Sequence, residues 1–392
     1  MPRVDGARLL ADLDAMRRFG QAGTGVDRTA LSEPDIAARR WLCGRLGQAG
    51  LTPAMDRHGT VLGRSSGSRA LLIGSHTDSV PRGGWLDGTL GVACGLEVAR
   101  ALGGGVDVVS FQDEEGTFLP CLGSRAFIGD VTPEEIAAAR SRDGTRLTAA
   151  LAAARLDGAP LGAEAARYLA FLEIHIEQGP VLEARGGGVG VVTGIVGIHR
   201  WRIRASGRAD HAGTTPIAMR RDAGVALVRF AADVAAQLVG AGGGADTVWN
   251  IGWMTFRPGA ANVVPADAEL GLEFRDADPA VLARIDAWVG RRVAEDAALS
   301  GEVTTRIAPT RMEPHLAGVL EAAAAGQGVP SLRMPSGAGH DAMFLARIMP
   351  AAMLFVPSIG GRSHDPAEDT AEADIVQGCQ VLCDAAEALL RG

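Results

Sequence analysis

The sequence has 392 residues, a formal net charge of −8 and a hydrophobic content of 47%. A chain of this length usually folds into more than one domain, and its negative charge argues against a nucleic acid or an anionic membrane as a partner. No apolar run reaches the ~18 residues of a membrane-spanning helix. The first residues form an amphipathic pattern rather than a signal peptide, so we expect a cytoplasmic protein.

The basic and sulfur-containing residues exclude several kinds of chemistry. All 38 basic residues are arginine, so neither a lysine Schiff base nor a phosphate-binding P-loop lysine can operate. Five cysteines without a CxxC pair argue against a disulfide framework and against a cysteine-type zinc site. Cys379 and Cys383 lie about one helical turn apart, which predicts packing in a core.

Apolar periodicity predicts the main elements in chain order. Residues 1–50 and 90–102 have helical spacing, and an Ala/Arg/Glu-rich stretch over 133–166 predicts a further helix. Four short apolar runs predict buried strands, at 69–75, 106–112, 169–176 and 351–357. Continuous apolar strands that alternate with helices are typical of a largely parallel sheet covered on both faces. We therefore predict an α/β fold with a mostly parallel sheet.

The residues between 199 and 311 follow a different pattern. They predict a half-solvated strand, a helix, two strands, a second helix and a last strand, at 201–206, 220–239, 247–256, 268–277, 279–298 and 303–309. The order β-α-β-β-α-β is typical of a ferredoxin-like α+β domain. We predict that this domain, residues 199–311, is inserted into a catalytic domain made of residues 1–198 and 312–392. The Gly-rich segment GGGVGVVTGIVG just before it is a candidate hinge.

Side chains that can bind metals lie at the end of each predicted buried strand. They are His76 for the first strand, Asp113, Glu114 and Glu115 for the second, His175 and Glu177 for the third, and His364 and Asp365 for the fourth. Because a functional crevice lies beyond the carboxyl ends of strands in an open α/β sheet, we expect these groups to converge. Three histidines with carboxylates suit zinc, a similar divalent ion, or a pair of such ions.

Three further features sharpen the metal hypothesis. Asp87, in a Gly-rich loop before a helix pattern, is a candidate bridging carboxylate for two ions. Glu114 and Glu115 point to opposite sides if the backbone is extended, so one can bind metal while the other acts as a general base. The alternative for this pair is a solvated acidic turn. His58, His199 and His315 lie outside such strand-end contexts, and we interpret them as ordinary surface or capping residues.

Several segments between residues 74 and 368 carry a family resemblance. They are GSHTDSVPRGGWLDGTLGV, DEEG with GSRAFIG, EIHIEQGPVLE, ADHAGTTP with RRDA, NVVP, SGAGHDAM and FVPSIGGRSHDPAE. In order and spacing they resemble the hydantoinase/carbamoylase branch of the M20 metallopeptidase family. That branch contains N-carbamoyl-L-amino-acid hydrolases, allantoate amidohydrolases, ureidoglycolate amidohydrolases and β-ureidopropionases.

The resemblance implies specific roles for residues at the matching positions. It implies two divalent ions, one bound by His76, Asp87 and His175 and the other by the bridging Asp87, Glu115 and His364. It implies that Glu114 is the general base and that Asp78 is a carboxylate that orients His76. It also implies a set of substrate-binding residues, which are Gln178, His211, Asn262, Arg275 and Gly339.

The substrate-binding residues have physically consistent roles. Arg275 can clamp a carboxylate through two hydrogen bonds. His211 and Asn262 can donate to a carbonyl oxygen as negative charge develops on it, so His211 also takes part in catalysis. The alternatives are a plain surface arginine for Arg275 and a turn residue for Asn262.

The resemblance implies a metal-dependent amidohydrolase that cleaves the carbamoyl C–N bond of an N-carbamoyl-L-amino acid or a related linear ureido acid. Allantoate amidohydrolase and N-acyl-amino-acid deacylase or dipeptidase are alternatives with the same site. A non-catalytic metal-binding or ligand-sensing protein is a further alternative, against which the intact candidate residues argue. The expected ions are zinc or manganese, with cobalt or nickel as alternatives. A homodimer through the inserted domain, which acts as a lid, is also implied, with His211 acting in its own or its partner's site.

One segment departs from the family pattern. The stretch EEGTFLPCLGSRA is shorter than in related sequences and lacks their arginine. Because this stretch contains the candidate ligand Glu115 and the loop after it, the preferred ureido or acyl substrate stays open.

Overall fold

A computed structural model describes residues 2–164, 166–244 and 246–391 of the chain. The chain forms two compact units. The large unit consists of Met1–Thr193 and Arg311–Gly392, and the small unit consists of Gly194–Thr310. Among the described residues, no helix combines the length and the apolar character needed to cross a membrane.

The first part of the chain supplies most of the large unit. Its elements are α1 (Gly6–Arg17), β1 (Gln21–Ala22), β2 (Gly25–Val26), α2 (Glu33–Gln48), β3 (Thr52–Met55), β4 (Val61–Arg64), β5 (Ala70–His76), α3 (Thr89–Leu102), β6 (Val106–Phe111), α4 (Leu122–Phe127), α5 (Pro133–Ala138), α6 (Leu147–Ala154), β7 (Tyr168–Ile176), α7 (Val181–Ala184) and β8 (Val189–Ile195).

The small unit and the returning chain follow. The small unit contains β9 (Gly197–Ser206), β10 (Asp210–His211), a 3₁₀ turn (Ile217–Met219), α8 (Ala223–Gln237), β11 (Val248–Arg257), β12 (Val263–Val264), β13 (Asp267–Asp276), α9 (Pro279–Ala294) and β14 (Leu299–Ile307). The returning chain forms β15 (Thr310–Arg311), α10 (Pro314–Gly326), β16 (Ser331–Ser336), α11 (Ala342–Leu345), β17 (Ala351–Val356), a 3₁₀ turn (Ile359–Gly361) and α12 (Glu372–Arg391).

The large unit is built on one sheet with the strand order β15-β8-β17-β7-β5-β6-β4-β3, and β16 pairs with β8. The four central strands, β17, β7, β5 and β6, are parallel. The pairs β3–β4, β4–β6 and β8–β17 at the sides are antiparallel. The predicted α/β fold with a mostly parallel sheet is confirmed. All residues of β5, β6 and β17 are buried, which explains their continuous apolar sequences.

Close packing places the start of α3 beside the carboxyl ends of the central strands. A Cβ atom at Gly91 would lie 2.6 Å from the carbonyl oxygen of Ile174, so only glycine allows this approach of α3 to β7. The chain just before α3, which contains Asp87, is thereby held at the sheet edge where β5 and β7 end. The buried Cys379 and Cys383 pack in the core from α12, as predicted.

Two predicted elements differ from the structure. The stretch 133–166 is not one helix, because α5 ends at Ala138 and a turn separates it from α6. In that turn Gly144 has φ +90° and the side chain of Asp143 accepts from the N–H of Thr145 at 3.0 Å. Part of the Gly-rich candidate hinge is the strand β8, which pairs with β17.

The small unit contains an antiparallel sheet with the order β11-β13-β9-β14. Burial alternates along β13, since Leu270, Leu272 and Phe274 are buried while their neighbours are partly exposed. The buried face packs with α8 and α9 around a separate core. An aspartate directly precedes each helix, Asp222 before α8 and Asp278 before α9. Its side chain accepts a backbone N–H of the first turn.

Candidate metal centre

Candidate ligands converge at the carboxyl ends of the parallel strands. His76 ends β5, His175 lies near the end of β7, and Asp87 precedes α3. These three residues form what we call the inner group, in which the ligand atoms lie within 4.8 Å of one another. Asp87, Glu115 and His364 satisfy the same limit and form what we call the outer group. The structure therefore brings together all five residues that the sequence singled out as metal ligands.

The two groups share Asp87, and each group faces a different oxygen of its carboxylate. The Oδ1 atom lies 3.0 Å from Nε2 of His175 and 3.9 Å from Nε2 of His76. The Oδ2 atom lies 3.2 Å from Nε2 of His364, and that nitrogen is 3.4 Å from Oε2 of Glu115. This is the arrangement that a carboxylate needs if it is to bridge two ions.

Backbone carbonyl groups orient the two buried histidines. Nδ1 of His76 lies 3.0 Å from the carbonyl oxygen of Asp78, and Nδ1 of His175 lies 2.9 Å from that of Ile176. When Nδ1–H donates to these carbonyl groups, the lone pair of each Nε2 is on the side of Asp87 and can bind a metal ion. Nε2 of His175 also accepts the N–H of Gly88 at 3.1 Å, so an ion would compete with that hydrogen bond.

The implied role of the Asp78 carboxylate needs correction. Its Oδ1 is 3.9 Å from Nδ1 of His76, beyond hydrogen-bond distance, so the backbone of Asp78 orients the ring instead. The carboxylate is occupied by Arg39, whose NH2 is 3.3 Å from Oδ1, and by the N–H of Glu115, 3.3 Å from Oδ2. Arg39 and Asp78 are both fully buried, so their pairing offsets the cost of burying each charge.

The residues present fit a pair of divalent ions. The Oε1 atom of Glu115 is buried and has no hydrogen-bond partner among the residues that the structure describes. Such an oxygen is costly unless it binds a cation. Three imidazole nitrogens with two carboxylates are also a donor set that suits zinc and similar divalent ions.

A third group of possible ligands is already hydrogen-bonded. Glu173, His175 and His340 also lie within 4.8 Å of one another. However, Glu173 accepts from the hydroxyl of Ser75 at 2.6 Å, and Nε2 of His340 is 2.9 Å from Oγ of Ser336. We interpret Glu173 and His340 as a polar network around His175, since both oxygens of Glu173 and Nε2 of His340 have hydrogen-bond partners within the protein.

Burial and neighbouring charges favour the protonated forms of several side chains at the site. Burial, reinforced by Asp87, raises the pKa of Glu115 to about 10. Burial opposes a charge on His175, but its hydrogen bond to Asp87 outweighs this effect and raises the pKa of His175 to about 9. Burial and nearby carboxylates, Asp341 first, raise the pKa of Glu114 well above its usual value. An ion that binds Glu115 or His175 must therefore displace a proton from it.

The turn after β6 directs the side chains of Glu114 and Glu115 to different groups of ligands. Asp113 has φ +56°, and its carboxylate accepts the N–H groups of Phe118 and Leu119 at 3.0 and 2.8 Å. It therefore shapes the turn and is not one of the converging ligands. Oε2 of Glu114 lies 3.6 Å from Nε2 of His76, while Glu115 contacts the outer group. One glutamate is thus beside the inner group and the other is within the outer group.

Comparison with known proteins agrees with this geometry. Residues 72–388 match the model of the peptidase family M20/M25/M40. The chain belongs to this family. It is 34% identical over 413 residues to an N-carbamoyl-L-amino-acid amidohydrolase of Paenarthrobacter aurescens, with 100% of both chains covered. It is 31% identical over 381 residues to an allantoate amidohydrolase of Escherichia coli, with 91% of both covered. A crystal structure of a hydantoinase/carbamoylase family amidase from Burkholderia phymatum is similar with a TM-score of 0.92 and 46% identity, covering 99% of both chains.

Within this M20 chain, two residues implied to bind substrate belong to the large unit. Nε2 of Gln178 lies 3.3 Å from Oδ2 of Asp87 and donates to Oγ of Ser363 at 2.9 Å, so Gln178 adjoins the outer group. Gly339 directly precedes His340, whose ring centroid is 4.6 Å from that of His175.

The other three residues implied to bind substrate belong to the small unit. His211 and Asn262 are exposed neighbours, because the N–H of Ala212 donates to the carbonyl oxygen of Asn262 at 2.9 Å. Arg275 is partly exposed on β13, and its Nε donates to Oε1 of Glu273 at 2.7 Å.

Some interpretations from the sequence were wrong or incomplete. His58 is buried rather than a surface residue, because its loop turns around Asp56, which accepts the N–H of His58 at 2.9 Å. His199 is half-buried and paired with Asp286, whereas His315 is exposed as predicted. Glu173 was not among the predicted site residues, although an isolated glutamate inside the apolar run LAFLEIHI indicates a buried polar contact.

Proposed function

We propose that the chain is a metal-dependent amidohydrolase that cleaves the carbamoyl C–N bond of an N-carbamoyl-L-amino acid or a related linear ureido acid. The observation that carries the proposal is Asp87, which lies between two groups of ligands with Glu114 beside the inner group. The relatives from Paenarthrobacter aurescens and Escherichia coli support the substrate class by their names.

We propose that two divalent ions bind here, with zinc or manganese as the first candidates and cobalt or nickel as alternatives. The inner group would hold one ion and the outer group the other. When bound, the ions supply positive charge that polarises a carbonyl oxygen and makes a water molecule more acidic.

Glu114 is the general base in this proposal. Its carboxylate accepts a proton from the water that adds to the carbamoyl carbon. The same carboxyl group then donates the proton to the leaving nitrogen as the C–N bond breaks. Burial, which raises the pKa of Glu114, supports this role because the group can keep the proton between the two steps.

The substrate-binding residues would position the ureido acid. Arg275 would bind the substrate carboxylate, and its existing contact with the carboxylate of Glu273 supports that chemistry. His211 and Asn262 would donate to the carbonyl oxygen as it becomes negative. Gln178 and Gly339 would contact the substrate from the large unit.

The small unit, in this proposal, is a lid and a dimerisation domain. Its strand β11 is at the edge of the sheet and exposes Val248, Trp253 and Phe256, with 54%, 43% and 38% of their surface accessible. Exposed apolar groups on an edge strand support a homodimer through this unit.

The five cysteines are free thiols, which supports a location in the reducing cytoplasm.

The test combines a substrate panel with the Glu114→Gln variant. Ammonia or free amine release is measured with N-carbamoyl-L-amino acids, allantoate and N-acetyl-L-amino acids, after each divalent metal is added to the metal-free protein. We expect turnover of ureido acids, and a loss of about 10²- to 10⁴-fold in kcat for Glu114→Gln with both ions retained.

Other outcomes would redirect the proposal. Preference for allantoate would favour the second candidate, which the Escherichia coli relative supports. Turnover of N-acetyl substrates alone would contradict carbamoyl hydrolysis and favour a deacylase. Nearly full activity of Glu114→Gln would contradict its role, and Glu134→Gln, at an exposed position, is the control for the substitution itself.

A further inference from the structure

A buried carboxylate that the proposed function does not use lies directly beside the ligands. Glu368 is 1% exposed. Its Oε1 accepts the N–H groups of Leu86 and Asp87, at 3.1 and 3.0 Å. Its Oε2 accepts the hydroxyl of Ser363 at 3.2 Å. One side chain therefore contacts the backbone of the shared ligand Asp87 and the residue that precedes the ligand His364.

The surrounding chain leaves room for this carboxylate. A Cβ atom at Gly84 would lie 1.9 to 2.2 Å from the Cδ, Oε1 and Oε2 atoms of Glu368, so any other residue at position 84 would displace it. The backbone of Glu368 is anchored as well, because its N–H donates to the carbonyl oxygen of Asp365 at 2.9 Å. The carboxylate thus has a fixed position between two segments of the chain.

The segment with His364 depends on such contacts more than the other ligand segments do. The side chain of His364 is 49% exposed, and its φ is +55°, a conformation that residues other than glycine adopt at a cost. His76 and His175, in contrast, are at the ends of buried strands. Contacts with the segment that contains Asp87 can therefore keep His364 within bonding distance of an ion in the outer group.

We propose that Glu368 is a positioning residue that fixes the Asp87 segment and the His364 segment to each other and so sets the affinity of the outer group for its ion. The inference rests on the proposed function only in that it takes the two groups as metal ligands. Glu368 does not itself contact the ion in this proposal. It acts through the backbone of Asp87 and through Ser363.

The substitution Glu368→Gln tests the proposal directly. Glutamine has nearly the same volume, but its NH2 group cannot accept a hydrogen bond. If the amide oxygen keeps the backbone N–H groups of Leu86 and Asp87, the hydroxyl of Ser363 loses its acceptor and must turn to accept from the NH2 group. We expect the Kd of the outer ion to rise about 10- to 100-fold while the inner ion is bound as before. Calorimetric titration of the metal-free protein with Zn²⁺ and with Mn²⁺ measures both affinities. The visible spectrum of the Co²⁺-loaded protein reports the geometry at each ion.

Two further variants keep the result interpretable. Gly84→Ala displaces the carboxylate without changing Glu368 and should weaken the same ion. Asp56→Asn is the matched control, because Asp56 is buried and accepts the N–H groups of His58 and Thr60 at 2.9 and 3.0 Å but contacts no ligand. It should lower the melting temperature of the metal-free protein and leave both metal affinities unchanged.

The possible results separate the two proposals. The role of Glu368 is overturned if Glu368→Gln weakens both ions equally, or lowers only the melting temperature. A wild-type protein that binds two ions but hydrolyses no ureido or acyl substrate overturns the proposed function alone. A wild-type protein that binds a single ion overturns the assignment of the outer group, and the role of Glu368 with it.

Discussion

The inner and outer groups share one carboxylate but differ in how the fold holds them. His76 and His175 are 1% exposed, lie at the ends of parallel strands and have their rings oriented by backbone carbonyl groups. His364 is on a loop after β17, and half of its side chain is exposed. The sheet thus preorganises the inner group, whereas contacts between loops hold the outer group. The two ions should therefore differ in affinity, with the inner ion bound more tightly.

Loss of the shared ligand should have the largest effect. Asp87→Ala removes an oxygen from both groups, so we expect loss of both ions and a fall in kcat of at least about 10³-fold. His364→Ala should lose the outer ion only. Metal analysis of the purified variants, together with turnover of the preferred substrate, checks both expectations.

The neighbouring variant Asp365→Asn is the control for these two. Asp365 is exposed, and its carboxylate accepts the N–H of Ala367, so both ions should stay bound. If His364→Ala loses both ions, or if it keeps both, the outer group is not an independent site.

The next largest effect should be a difference between the two groups in how metal affinity depends on pH. Burial lowers the pKa of His76, so below pH 9 the inner group has about one proton to displace, that of His175. At roughly pH 6 the outer group has about two protons to displace, because the pKa of Glu115 is about 10 and the contact with Asp87 raises the pKa of His364. Near pH 6, both affinities should fall as the pH falls, about tenfold per pH unit for the inner ion and about a hundredfold for the outer ion.

Calorimetry in buffers of different ionisation enthalpy measures these proton counts directly. Equal proton release on binding of the two ions would contradict the charge states described above. A steeper pH dependence for the inner ion would do the same.

The smallest expected effect concerns a single hydroxyl group. Ser363 donates to Glu368 and accepts from Nε2 of Gln178 at 2.9 Å, so Ser363→Ala removes two contacts of the outer loop. We expect the Kd of the outer ion to rise about two- to fivefold, with the inner ion unaffected. Ser141→Ala, at a partly exposed serine that contacts no ligand, is the control. Equal weakening of both ions would argue that the loops do not act on the outer group alone.

The sequence was sufficient to predict the sheet and the convergence of the ligands. The apolar runs that became β5, β6, β7 and β17 each end in polar side chains, and parallel strands bring such ends to one edge. The Gly-rich loop before α3 made Asp87 a candidate bridging carboxylate. The family resemblance then implied which of Glu114 and Glu115 is the general base, and supplied the residues of the small unit.

The parts that could not be predicted are long-range contacts of single polar groups. Glu368 acts on the backbone of Asp87, 281 positions earlier, and no local pattern marks such a pair. The pairing of Asp78 with Arg39, rather than with His76, depends on where α2 packs. The interruption of the helix predicted over 133–166 is different, because Asp143 and Gly144 form a local turn signal. The Ala-rich composition on both sides led to the wrong prediction of one helix.

The order of the ligands along the chain has a consequence for synthesis. The inner group uses residues up to His175, but the outer group also requires His364 and the buried carboxylate of Glu368. Translation produces His364 and Glu368 after every residue of the inner group. In the proposed two-ion site, the outer group would therefore be the later of the two to form.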